Sequence, residues 1–324
     1  EALREAFASL FQQRGLKHIA SAANVHVGCG VTHALFCAAR AVLDPGDEVL
    51  VTSPYWPLIP GLLQSAGIQP VEVPLSFRLY QEPDLDVAAA LEAAITEKTR
   101  AVYFISPGNP DGQIYRRDQI EAIAEVARSH DLWVLADEVY ADFVYDGEHN
   151  SIATLPEMAD RTITTYSLSK GRALAGARVG CVAGSERAIT AALRIHAHTV
   201  YNVPTPMQRA GLFALSDGGA WPRMAKTLYR EARDATAAAL REIGIETPLP
   251  PGGTFFFLDL TEQLAGRPLQ GMIERAIDEG VYVAPGRAFG AGYDNFVRLC
   301  YTGVPLDQIL EGIRRLGRAM EAFG

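Results

Sequence analysis

Residues 164–180 read TTYSLSKGRALAGARVG. Lys170 stands there among small and hydroxyl residues, and Arg178 follows eight positions later. The chain has four lysines, Lys17, Lys98, Lys170 and Lys226, and Lys98 and Lys226 keep charged company, Lys98 in TEKTR and Lys226 near arginines. On either side of the Lys170 stretch lie TITTY (162–166) and GCVAG (180–184), short apolar and β-branched runs that read as buried strands. The lysine therefore falls at the end of one strand and before the next.

Working outward, the same kind of run recurs in EVLVT (48–52), AVYFI (101–105) and LWVLA (132–136). Helical patterns lie between them at 32–42, 118–129 and 185–196, and residues 1–15 read as an opening helix. Such alternation predicts an α/β domain with a largely parallel sheet and helices on both faces. Ligands of such sheets bind outside the carboxyl ends of the strands. After residue 218 the pattern changes. A long helix over 221–243 leads to PLPPGGTFFFLDL, a helix near 269–279, VYVAPGRAFG, NFVRLCYTG and a final helix. We divide the chain into a large α/β domain (1–218) and an interdomain helix with a smaller α+β domain (219–324).

Length and composition agree with this division. A chain of 324 residues, 48% hydrophobic and 21% charged, can bury a large core. The net charge of −9 and the lack of a basic block argue against a nucleic-acid partner. No apolar run is long enough to cross a bilayer. Cys29, Cys37, Cys181 and Cys300 lack metal-ligand spacing and read as reduced thiols in a cytoplasm.

The strand ends carry the chemistry. In VGCGVTHAL two glycines precede a helix start, and the amides of Cys29, Gly30 and Val31 could receive an anion; a plain strand-to-helix turn reads the same. Trp56 in SPYWPLIPG offers a flat stacking face or simple loop packing. Asn109 in SPGNPDG is either a rigidly held amide or a turn residue. Asp137 in LWVLADEVY follows a buried run, where a carboxylate is costly unless paired; a helix N-cap is the plainer role. Tyr140 is one turn further on. A lysine made nucleophilic by burial forms Schiff bases, and Ser167, Ser169 and Arg178 are good phosphate ligands; a loop charge is the plainer role for Lys170 and a surface pair for Arg178. Anion cradle, aromatic face, amide, buried carboxylate, phenol, amine and guanidinium together suit one ligand, pyridoxal phosphate.

These motifs, VGCGVTHAL, SPYWP, GNPDG, ADEVY, SLSKGRALAGARVG and VRLCYTG, resemble the class I/II aminotransferases, the fold-type I pyridoxal-phosphate enzymes, in order and over nearly the whole chain. The resemblance implies that Lys170 carries the internal aldimine and shuttles a proton. It implies that Asp137 keeps the pyridine nitrogen protonated, that Asn109 and Tyr140 bond the ring's phenolic oxygen, and that Trp56 stacks on the ring. The phosphate would rest on the amides of Cys29, Gly30 and Val31, with Ser167, Ser169 and Arg178 as side-chain ligands. Arg298 in VRLCYTG resembles the arginine that clamps the substrate α-carboxylate. Asn109 and Trp56 would also face the substrate. The implied reaction is a ping-pong exchange of an amino group between an amino acid and a 2-oxo acid, in a homodimer. Tyr201 and Asn202 are candidate interface or channel residues.

The chain also departs from the family pattern. It opens at Glu1 inside a helix, so an upstream segment is expected, one that in relatives completes the small domain, covers substrate and lends a tyrosine to the partner subunit's phosphate. Arg172 stands where relatives often carry an aromatic, either beside the phosphate or facing solvent. Dicarboxylate-specific relatives carry an arginine shortly before the segment matching VYNVPTP, where this chain has IHAHTVYN. Aspartate is therefore not expected to be the best substrate. Arg287 is a surface position or a substitute anion contact, and His196 and His198 read as helix-end residues. The same residues also serve lyases, decarboxylases, racemases and cyclases, and the aminotransferase-like sensor domains of some transcription regulators.

Overall fold

The computed structural model describes residues 1–323. The chain opens with helix α1 (Ala2–Gln13), strand β1 (Val25–Cys29), α2 (Gly30–Val42), β2 (Glu48–Ser53), α3 (Ile59–Ser65) and β3 (Gln69–Pro74). Next come α4 (Arg78–Gln81), α5 (Val87–Glu92), β4 (Thr99–Ile105), α6 (Arg117–Ser129), β5 (Trp133–Asp137), β6 (Thr162–Ser167), α7 (Leu168–Gly171) and β7 (Val179–Ala183). Then follow α8 (Glu186–Thr199), α9 (Thr205–Leu215) and α10 (Ala220–Glu242). The chain ends with β8 (Phe255–Asp259), α11 (Thr261–Leu264), α12 (Leu269–Asp278), β9 (Ala284–Pro285), β10 (Phe296–Cys300) and α13 (Leu306–Phe323).

Among the described residues the strands form a seven-stranded sheet, in the order β1-β7-β6-β5-β4-β2-β3, and a three-stranded sheet, β8-β10-β9. In the large sheet β3, β2, β4, β5 and β6 run parallel, and β7 runs antiparallel to both of its neighbours. The fold is thus mixed α/β with a mostly parallel sheet between helices. Its central strands are buried on both faces, which is why they read as near-continuous apolar runs.

Strand parity sorts the faces. On β4, Val102 and Phe104 enter the core under α5 and α6, whereas Ala101, Tyr103 and Ile105 face the core shared with α2 and α3. On β5, Val134 and Ala136 take the first side and Leu135 the second. Ile105 pairs in register with Asp137, so Tyr103 and Asp137 share a face. That alternation alone brings a phenol near a carboxylate.

Sequence patterning reached the central strands and most helices within a few residues. It missed β1, β3, α9 and the short helices α3, α4, α5, α7 and α11. Strand β3 lies at the sheet edge and carries Pro70 and Pro74, which an edge tolerates. Strand β1 has His26 and Gly28 inside it. No helix of the described residues is long and apolar enough to cross a membrane.

A histidine trio sits where β1, α2 and α8 meet. His26 Nε2 lies 3.0 Å from His196 Nδ1, and the His33 ring centre is 5.1 Å from that of His196. His196 does occupy the last turn of α8, yet it is buried. Burial first, and then neighbouring His196 and His33, push His26 down to about 3 from an ordinary 6.5. A depressed imidazole stabilises the fold fully above pH 6.5, and that contribution is lost as pH falls toward 3. Urea unfolding at pH 7 and pH 4.5 is expected to show His26→Leu losing stability with acid less steeply than the parent. The difference should be on the order of 1 kcal/mol per pH unit. Parallel curves would mean that the trio does not govern acid stability.

Candidate active site

A cavity of about 280 Å³ opens at the carboxyl ends of the central strands. Its lining brings together Val31, Trp56, Asn109, Asp137, Tyr140, Ser167, Ser169, Lys170 and Arg178. Cys29, Gly30 and Arg298 adjoin it without appearing in the lining. A larger cleft of about 520 Å³, lined by Arg14, Asp142, Arg172 and Lys226, lies elsewhere. Volume does not choose between the two. The smaller one is where strand ends and complementary groups converge, so it is the candidate site.

The α2 side of the cavity is built on a close approach. Cys29 is the N-cap of α2 and Gly30 its first residue, with Thr32 also in the first turn, so the helix starts earlier than the sequence suggested. The first amides of a helix have no intrahelical partner. Gly30 has φ +76°, and a Cβ there would stand 2.5 Å from Arg178 Nη2. A Cβ on Gly180 would stand 2.7 Å from the Val31 nitrogen. The Arg178 guanidinium is 3.5 Å from Ser169 Oγ and 3.0 Å from the Ala175 carbonyl oxygen, and its own backbone is left-handed at φ 52°. Ser167 closes β6 and caps α7, its Oγ accepting from the Ser169 amide at 3.2 Å.

Asp137 ends β5 and is 3% exposed. Its Oδ2 accepts from the Tyr103 hydroxyl at 2.9 Å and its Oδ1 from Thr165 Oγ1 at 2.8 Å. Burial drives this carboxyl above the usual range, and the bonds from Thr165 and Tyr103 pull it back. Tyr103 and Thr165 were not found from sequence. Tyr103 is a hydroxyl among the apolar residues of β4 and Thr165 one hydroxyl among several in β6, signals that gain meaning only with the register.

Lys170 occupies α7 and is exposed rather than buried, its Nζ 5.4 Å from the Tyr140 ring centre. Tyr140 is buried; burial raises its phenol, and the Lys170 charge opposes that. Asn109, 5% exposed, accepts from Arg298 Nη1 at 2.8 Å through its Oδ1. The Arg298 guanidinium lies over the Phe255 and Phe289 rings, 4.2 and 5.0 Å from their centres. Burial lowers its pKa from the ordinary arginine value, against the pull of Tyr140. Among the described residues no carboxylate pairs with Arg298. Thr32, Leu58, Ile105, Val139 and Ala175 complete the lining. Arg287 is exposed, and Arg172 neither lines this cavity nor faces solvent.

Comparison with known proteins identifies the family. The sequence profile of the aminotransferase class I and II family matches residues 1–316. The aspartate/prephenate aminotransferase of Thermus thermophilus is 34% identical over 98% of this chain and 81% of its own. The arginine–pyruvate transaminase of Pseudomonas aeruginosa is 35% identical over 92% of this chain and 75% of its own. A solved aromatic aminotransferase from Pyrococcus horikoshii superposes with a TM-score of 0.91 at 31% identity, over 99% of this chain and 85% of that one. The chain belongs to the class I and II aminotransferases. It is a pyridoxal-phosphate-dependent aminotransferase, of a family that works on amino acids and their keto acids.

Gly30→Ala tests the cradle. A side chain at positive φ costs about 1–2 kcal/mol, and here it also meets Arg178. Thermal unfolding of the apoprotein should show that loss, and absorbance titration with pyridoxal phosphate should show weaker binding. Unchanged affinity would separate Gly30 and Arg178 from the ligand.

Proposed function

We propose that this cavity binds pyridoxal 5′-phosphate and that the enzyme exchanges an amino group between an amino acid and a 2-oxo acid by a ping-pong route. In this reading Lys170 forms the Schiff base with the cofactor. The observation that carries it is the buried Asp137 carboxylate, already held by two hydroxyls, lining the same cavity as Lys170. A carboxylate so placed needs a charged partner, and a protonated ring nitrogen is one.

The other groups fit the same ligand. The amides of Gly30 and Val31, next to Cys29, together with Ser167, Ser169 and Arg178, form the phosphate cradle, since a side chain on Gly30 would fill the space before Arg178. Trp56 supplies the stacking face, and Asn109 and Tyr140 the bonds to the ring's oxygen. When bound, the cofactor supplies an electron sink for the carbanion at the substrate Cα. Lys170 Nζ moves the proton, and the Tyr140 ring, its centre 5.4 Å away, flanks it. Arg298, braced by Asn109 and two aromatic rings, receives the substrate α-carboxylate.

We also read two domains, 1–218 and 219–324, meeting at Gly218 and Gly219, which have φ +62° and +77°. The homodimer reading is supported by the exposed apolar side chains of Tyr201 and Phe213, 84% and 81% exposed. Four free cysteines suit a cytoplasmic setting. The relatives' names span acidic, basic and aromatic amino acids. The cavity lining includes the uncharged side chains of Trp56, Leu58 and Ala175, which favours neutral substrates over aspartate.

Visible absorbance of the loaded protein tests the reading. A band that bleaches with amino acids and returns with 2-oxo acids is expected, faster with neutral amino acids than with aspartate. Lys170→Ala should abolish the exchange, and Arg298→Leu should lower kcat/KM by at least about 100-fold, as expected for loss of a charged contact of roughly 3 kcal/mol. A band that never bleaches would point to another role for the site. Equal rates with aspartate would remove the substrate preference.

A further inference from the structure

Lys170 sits in a helix of four residues, α7. So short a helix does not hold itself, because nucleation costs more than one turn returns. Something else must fix the lysine. The N-terminal end is capped by Ser167. At the C-terminal end, Arg172 Nη1 donates to the Gly171 carbonyl oxygen at 2.7 Å and to the Tyr166 hydroxyl at 3.1 Å, while its Nε donates to the Ala214 carbonyl oxygen at 3.1 Å.

This guanidinium, with its side chain 4% exposed, is itself held. The Tyr166 hydroxyl donates to Asp142 Oδ2 at 2.9 Å. Arg14, the residue that caps the end of α1, pairs with Asp142 Oδ1 and lies 4.5 Å from the Tyr166 ring centre. Gly171 has no slack against this network, since a Cβ there would stand 2.2 Å from Asp142 Oδ2 and 2.3 Å from the Tyr166 hydroxyl oxygen. The residue following Lys170 is therefore clamped by a charged assembly drawn from the end of α1, the segment after β5, β6 and α9. None of these groups lines the cavity.

We propose that Arg172, anchored through Tyr166, Asp142 and Arg14, is a positioning residue for Lys170. Its planar fork holds the turn that presents the amine, so it acts on the reaction through Lys170 without touching the ligand. The inference rests on reading Lys170 as the cofactor lysine, but the clamp itself does not.

The test compares Arg172→Met, which keeps the apolar stem, and Arg172→Lys, which keeps the charge without the fork, with the parent. In the apoprotein, amide hydrogen exchange should lose at least tenfold protection in residues 168–174 of Arg172→Met, with α2 and α6 unchanged. In the loaded enzyme, kcat should fall about tenfold with KM within threefold, and the visible circular dichroism of the cofactor band should weaken. Arg172→Lys should recover part of each. Should Arg172→Met not fold, Arg14→Gln loosens the same clamp from its solvent side and should move the same readouts less. Unchanged protection at 168–174, or an equal loss everywhere with unaltered kcat and dichroism, would overturn the proposal. A parent protein with no cofactor band would instead sink the reading of Lys170, while the exchange data still judge the clamp.

Discussion

A carboxylate buried at the end of a parallel strand is the constraint around which this molecule is arranged. Asp137 could not remain there alone, since an unpaired charge in the interior costs several kcal/mol. Strand parity sets Tyr103 on its face of the sheet, and the adjacent strand β6 supplies Thr165. Two hydroxyls and the Val139 amide satisfy part of the acceptor capacity of the carboxylate, and what remains faces the cavity. The same sheet edge delivers Lys170 through β6 and Asn109 through β4, so one topological feature gathers groups from distant parts of the sequence.

Positive charge is distributed around that carboxylate in a way that suits a ligand with several anionic parts. Arg178 and the first amides of α2 lie on one side, Lys170 over the Tyr140 ring, and Arg298 on the side of the small sheet. Helix α2 is fixed twice. At its start Gly30 packs against Arg178, and along its flank His33 meets the buried imidazoles of His26 and His196. Those imidazoles prefer to be neutral, so acid is expected to loosen this second attachment of α2.

Much of this was legible in the sequence because chemistry-bearing residues stand at or just past the ends of strand-like runs. Asp137, directly after LWVLA, and Lys170, four positions past the end of TITTY, could be placed near strand ends with no knowledge of the register. What could not be read depends on the third dimension. The bond from Arg298 to Asn109 joins residues 189 positions apart. Tyr103 and Thr165 look like ordinary strand residues until β4, β5 and β6 are aligned. Burial was expected to activate Lys170, yet its side chain is exposed, and Arg172 takes a third course that neither sequence alternative foresaw. A pattern of residue types tells which chemistry is available; packing decides which neighbour each charge finds.

The central claim is that Lys170, among four lysines, is the one joined to the cofactor. Protein loaded with pyridoxal phosphate, reduced with borohydride and digested for peptide mass mapping tests it directly. The account expects a single modified site at Lys170, lost when Asp137→Ala weakens binding. Label spread over Lys17, Lys98 and Lys226, or fixed at one of them, would contradict it.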